Sequence, residues 1–137
     1  MLRLTHRVDF VTMAKVLVVD DDPVMLEACQ RLFLGEGHQV LGAGDGLSGL
    51  EAARKERPEL MVLDLMLPKL DGFEVCQMLK SDEKFQSIKI ILFTARKDDE
   101  VIRTSKESGA DAYLTKGCDP RQILDVSRRL LAGAKID

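Results

Sequence analysis

Three aspartates, Asp20, Asp21 and Asp22, stand directly after the apolar run VLVV, and a fourth, Asp64, stands directly after a second run, LMVL. Thr94 closes a third run, IILF, and Lys116 follows the short stretch AYLT. Two carboxylates about 5 Å apart repel by roughly 3 kcal/mol at an effective dielectric near 20, so a cluster of them requires protons or a cation. Oxygen-only ligands favour a hard divalent ion, and Mg²⁺ in particular takes one or two carboxylates, keeps several waters and completes its octahedron with a phosphate. Each residue also has a simpler explanation. Asp22, nearest the following helix pattern, suits the positive end of a helix dipole. Thr94 alone is ordinary strand material, and Lys116 alone is an ordinary surface lysine. Asp64 is different, because an acid at the end of an apolar strand has no local capping pattern to account for it. The joint placement of these groups is what the separate explanations leave over.

That placement depends on the elements. Short apolar runs alternate with amphipathic stretches, the pattern of an α/β domain built on a parallel sheet. Strands are expected at 15–19, 39–42, 60–63, 89–93 and 112–114. The first helix pattern starts at Pro23, with Met25, Leu26, Cys29, Leu32 and Phe33 on one face, and stops at Gly35 and Gly37. Others run over 47–55, from Asp71-Gly72 onward, over 99–107, and from Asp119-Pro120, an N-cap followed by a first-turn proline. The middle strands are almost continuously apolar, as expected when helices cover both faces. Right-handed crossovers then favour a doubly wound sheet, which binds its ligands outside the carboxyl ends of the strands.

At 137 residues the chain is one domain's worth, long enough to bury about 68% of its unfolded surface. With 20 Lys+Arg against 23 Asp+Glu there is no basic surplus, so direct nucleic-acid binding is not expected. Cys29, Cys76 and Cys118 match neither a disulfide framework nor a zinc spacing, which points to a reducing cytoplasm. No apolar run approaches a membrane span. His6 and His38 read as surface residues, and the six methionines as core filler. Residues 1–13 read as an N-terminal extension of no assigned role, 14–133 as the domain and 134–137 as a tail.

The segments VLVVDDDP, MVLDLMLPKLDG, ILFTA and DAYLTK, with GAD before the last strand, together resemble the receiver domains of two-component response regulators over about residues 15–131. The resemblance implies a flavodoxin-like, five-stranded parallel sheet of order 2-1-3-4-5 with five helices on its two faces. It implies Asp64 as phosphoacceptor, and Mg²⁺ held by Asp20, Asp21, Asp64 and the backbone carbonyl of Met66. Thr94 and Lys116 would contact the phosphoryl group, and Tyr113 would be the switch aromatic, moving into space that Thr94 vacates. A sensor histidine kinase or histidine phosphotransfer protein would donate the phosphoryl group. An output protein would dock on the face of the fourth helix, fifth strand and fifth helix, with the chain a monomer or a phosphorylation-dependent dimer, as in single-domain chemotaxis-type regulators.

The chain departs from the family pattern in having Gly117, where the family has proline, after Lys116. A cis bond before a residue other than proline costs about 3 kcal/mol, so a trans bond or a glycine-specific turn is expected. By the resemblance, the residues two after Asp64 and two after Thr94 govern water's access to the phosphoryl group; here they are Met66 and Arg96, which offer no acid or amide to orient an attacking water, so a long-lived phosphoform is expected. Cys118 lies near the site's rim, where a redox role would need a lowered thiol pKa and an exposed setting. Nothing follows the fifth helix pattern except AGAKID, so action by docking is expected, either as a stand-alone regulator or as a module of a longer one. Two other classes share this fold or these residues. An aspartyl-phosphate hydrolase would use the same residues but would turn over. A flavin binder on the same fold would place its phosphate against three aspartates with no glycine-rich loop to cradle it.

Overall fold

The computed structural model describes residues 13–136. Five strands, β1 (Lys15–Val19), β2 (Gln39–Ala43), β3 (Leu60–Leu63), β4 (Lys89–Thr94) and β5 (Ala112–Thr115), alternate with five helices. These are α1 (Pro23–Gly35), α2 (Gly46–Glu56), α3 (Gly72–Lys80), α4 (Asp99–Glu107) and α5 (Pro120–Leu131). All strand pairs are parallel, and the order is β2-β1-β3-β4-β5, the doubly wound arrangement expected. Expected and observed elements differ by one residue at the ends of β2, β4 and β5 and at both ends of α2.

Period-two alternation divides the strand side chains between two cores. Leu17, Val19, Met61, Leu63, Ile90 and Leu92 pack with Leu50 of α2, Val75 and Leu79 of α3 and Val101 of α4. Val16, Val18, Leu60, Val62, Ile91 and Phe93 pack with Cys29 and Phe33 of α1 and Ile123, Val126 and Leu130 of α5. Helices therefore cover both faces, which is why β3 can be buried at every position. Every helix is N-capped by an aspartate: Asp22, Asp45, Asp71, Asp98 and Asp119 each accept a backbone N–H of the first turn. Such caps contribute about 1 kcal/mol each. Asp71 and Glu74 complete a reciprocal capping box at α3.

The end of the sheet where the strands begin is tied by Lys80. Its Nζ donates to the carbonyls of Gln86 (3.0 Å) and Ile88 (2.8 Å) and pairs with Asp111 (2.8 Å), whose carboxylate also accepts the Ile90 N–H. The GAD stretch thus has a packing role: Gly109 takes φ +90 with Lys80 beside it, and Asp111 meets the ammonium.

The structure departs from two sequence expectations. His38 is buried, not a surface residue, with 6% of its surface exposed. The register that pairs Lys15 with Gln39 brings the preceding residues together, so the Ala14 N–H donates to His38 Nδ1 at 2.9 Å, and the ring lies 5.9 Å from that of Phe33. His6 lies outside the described residues. Of the methionines, only Met61 is fully buried among the described residues; Met13, Met66 and Met78 are exposed.

Burial holds the His38 imidazole below its usual pKa, against the nearby Glu36 carboxylate, which favours the charged form. The folded state therefore binds this proton less readily than the unfolded chain. The stability contribution is full above the unfolded value near 6.5 and is lost as pH falls through the lowered folded value. Chemical denaturation at pH 7.5 and 5.5 should show a drop in stability that is smaller in His38→Gln. An equal drop in both proteins would remove His38 from the account.

Candidate functional site

Parallel pairing brings the carboxyl ends of β1, β3, β4 and β5 to one edge. Val19 pairs with Leu63, so the next residues, Asp20 and Asp64, emerge side by side. Their backbones are fixed by Asp20 N–H to Ala43 O (3.1 Å) and Asp64 N–H to Val19 O (3.0 Å). Both carboxylates are buried, at 4% and 5% exposure, while Asp21 beside them is exposed. Carboxylate oxygens of Asp20, Asp21 and Asp64 all lie within 4.8 Å of one another. Asp22 stands apart from this group, as expected, capping α1 through the Val24 N–H at 3.0 Å.

Lys116 reaches the acids from the fifth strand. Its Nζ lies 2.7 Å from Asp20 Oδ2 and 3.0 Å from Asp64 Oδ2. The Lys116–Gly117 peptide is trans, there being no cis bond among the described residues, and the Lys116 N–H donates to Thr94 O at 2.8 Å. The departure from proline therefore leaves the ammonium in the site. Burial pulls the Lys116 ammonium down, but its hydrogen bonds to Asp20 and Asp64 more than offset this and hold its pKa above the usual lysine value. Burial pushes the Asp64 carboxyl up, and Lys116 opposes the rise without cancelling it. A buried acid pair bridged by one ammonium retains excess negative charge. Three carboxylates with a convergent, all-oxygen donor set suit a hard divalent ion.

Thr94 is fully buried at the end of β4, and its Oγ1 accepts the Arg96 N–H at 3.3 Å. The Tyr113 hydroxyl donates to the carbonyl of the same Arg96. Thr94 and Tyr113 are thus joined through one peptide segment, whose side chain pairs with Asp98, the N-cap of α4. Met66 is 60% exposed and meets Asp64 through its amide, which donates to Oδ1 at 3.3 Å.

Two glycines hold the loop after Asp64. A Cβ at Gly72, the glycine of LPKLDG, would lie 2.3 Å from the Asp64 carbonyl oxygen. A Cβ at Gly46, which no sequence pattern singled out, would lie 1.6 Å from the Leu70 carbonyl oxygen. Between them Lys69 takes φ +72, a left-handed conformation uncommon outside glycine, and its Nζ lies 3.7 Å from Asp45. Both close approaches are to backbone and cannot be relieved by a rotamer change. Gly72→Ala should therefore destabilise the fold by about 2–3 kcal/mol and weaken Mg²⁺ binding, as read by denaturant unfolding and metal titration. Unchanged values for both would mean the loop yields freely at Gly72.

The cysteines lie outside this chemistry. Burial pushes the Cys29 thiol up to about 12, and burial also raises Cys76 and Cys118. Cys118 packs half-buried against the α1/α5 core, so neither the lowered pKa nor the open setting of a redox cysteine is present.

Among the described residues no helix is long and apolar enough to cross a membrane. The chain is 39% identical over 110 residues to the DNA-binding response regulator MtrA of Mycolicibacterium smegmatis, which covers 80% of this chain and 47% of that protein. It is 40% identical over 117 residues to the transcriptional regulatory protein AfsQ1 of Streptomyces coelicolor, covering 85% of this chain and 50% of the relative. The chain thus spans about half the length of these relatives. The expectation of no nucleic-acid contact does not extend to such full-length proteins, since MtrA is named for DNA binding. A solved signal receiver domain of a histidine kinase from Syntrophus aciditrophicus matches with a TM-score of 0.82 at 29% identity, over 90% of this chain and 94% of that one. The BeF3-activated DrrB receiver domain matches with a TM-score of 0.80 at 34% identity, over 88% and 98%. Residues 16–128, from within β1 into α5, match the family described as the response regulator receiver domain, and the chain belongs to that family.

Proposed function

We propose that this receiver domain is a signalling switch in which Asp64 accepts a phosphoryl group from the phosphohistidine of a sensor kinase or phosphotransfer protein. The observation that carries this reading is the Lys116 ammonium spanning Asp20 and Asp64 inside the acidic cluster. Asp20, Asp21, Asp64 and the Met66 carbonyl would hold Mg²⁺, which when bound neutralises charge on the transferred group and keeps Asp64 ionised. The Asp64 carboxylate attacks phosphorus, and the P–N bond to the donor imidazole breaks with its electrons passing to the ring. Lys116 then turns from its carboxylate contacts to a phosphoryl oxygen as a compact point charge. Thr94 supplies its hydroxyl to a second oxygen, which draws on the segment that also holds Tyr113. Phosphorylation adds nearly two negative charges, so an arrangement that satisfies them is favoured over one that does not. The surface of α4, β5 and α5 reports which arrangement is populated.

The donor approaches over an apolar rim. Val24, Leu47 and Met66, 75%, 45% and 60% exposed, follow the ends of β1, β2 and β3 around the acidic cluster. The chain catalyses only its own phosphotransfer and dephosphorylation. Residues 14–133 are the folding unit, three free thiols suit a reducing cytoplasm, and output passes by docking or through a further domain of the kind its longer relatives carry.

Incubation with Mg²⁺ and acetyl phosphate, followed by intact-mass spectrometry, should show one added phosphoryl group per chain and then saturation. Continued release of inorganic phosphate at a rate matching donor consumption would favour the hydrolase instead. With Met66 turned outward and Arg96 engaged by Asp98, neither side chain orients water, and the phosphoform should persist after the donor is removed. Loss of the label within seconds in the purified protein would contradict that.

A further inference from the structure

A cavity lies at the other end of the sheet, where β3 and β4 begin and α2 and α5 end. Its volume is about 360 Å³, at the small end of the range for ligand sites. The floor is apolar, with Phe85 and Leu130 buried at 7% and 1% exposure. Around it stand three cations, Arg57, Lys84 and Lys89, and one acid, Glu59. None of the three cations is within 4 Å of a carboxylate among the described residues, unlike Lys80 nearby, whose ammonium is fully engaged. Arg57 is the most constrained. Its guanidinium carbon lies 5.3 Å from the centre of the Phe85 ring, and its backbone takes φ +47 as the C-cap of α2. Glycine is the usual residue at such a left-handed cap, so an arginine there keeps a cation over the ring at a conformational cost.

Helix carboxyl ends attract cations, which accounts for basic residues in the last turns of α2 and α5. It does not account for an apolar floor beneath cations that lie beyond those turns. Cations that no carboxylate among the described residues engages, set around a buried aromatic and a leucine, fit an anion that carries an apolar body. We propose that this cavity binds a small amphipathic anion, a carboxylate or phosphate ester on an apolar chain or ring of about ten non-hydrogen atoms. The site is separate from Asp64, which lies at the opposite ends of the strands, and the proposal stands independently of the phosphorylation chemistry.

Amide chemical-shift titrations of the full chain with octanoate, octyl phosphate, inorganic phosphate and octylammonium test this. Octanoate and octyl phosphate should shift the amides of Arg57, Phe85, Lys89 and Leu131 saturably, with a Kd on the order of 0.1–1 mM, and the tighter of the two identifies the preferred head group. Inorganic phosphate and octylammonium should bind at least tenfold more weakly. The double variant Arg57→Gln, Lys89→Gln should weaken octanoate at least tenfold, whereas Lys55→Gln, which removes a cation outside the cavity, should not. Binding of octylammonium equal to that of octanoate, shifts centred on the Asp64 end, or no saturation with either octyl anion would overturn the assignment.

Discussion

Replacing Asp64 by asparagine should abolish phosphoryl incorporation and reduce the mass shift with acetyl phosphate and Mg²⁺ from one group per chain to none. The amide is nearly isosteric with the carboxylate but has no anionic oxygen to attack phosphorus. The fold should survive. Asp64 sits at 5% exposure with its carboxyl already pushed up by burial, so loss of the charge relieves a desolvation penalty while Lys116 keeps Asp20 as a partner. Thermal unfolding of Asp64→Asn should therefore lie at or above that of the parent chain. Incorporation retained in the variant would move the phosphoacceptor elsewhere, with the exposed Asp21 the next candidate.

The second large effect is at Lys116, and it runs in opposite directions for two observables. The ammonium occupies Asp20 and Asp64 at 2.7 and 3.0 Å, two of the three carboxylates that could hold a divalent ion. Lys116→Met should therefore strengthen Mg²⁺ binding by about tenfold, the effect of removing one competing charge interaction of that order. The same change should slow phosphorylation by on the order of 100-fold, because a preorganised donor to the transferred group is lost. Metal titration and the rate of mass shift at saturating Mg²⁺ separate the two. If both observables fell together, Lys116 would be holding the acids in place rather than competing for them.

How much of this was legible beforehand follows from what each feature depends on. The strands and the identity of the residues at their ends were readable, because an apolar run and the polar residue that terminates it are local. The placement of Asp20, Asp21, Asp64, Thr94 and Lys116 at one sheet edge was readable this way, and Asp22 was correctly set aside as a cap. Gly46 was missed because its constraint comes from Leu70, 24 residues later in the chain and on another loop. His38 was misjudged because a polar residue beside a strand is ordinarily exposed, and only the β1–β2 register reveals the Ala14 N–H it satisfies. Met66 and Met78 were misjudged because apolar type alone does not say which face of an element meets the core.

The sequence by itself determined a parallel α/β domain and an acidic edge, since periodicity dictates the elements and parallel crossovers send all strand ends the same way. Only the tertiary structure decided that one ammonium bridges two of the acids and that Thr94 and Tyr113 meet at Arg96. It also decided that Lys80 is bound to Asp111, and that three cations with no carboxylate partner among the described residues surround an apolar floor at the far end. Those relations join residues distant in the chain, at ångström separations that pairing register and packing set and that spacing along the sequence does not encode.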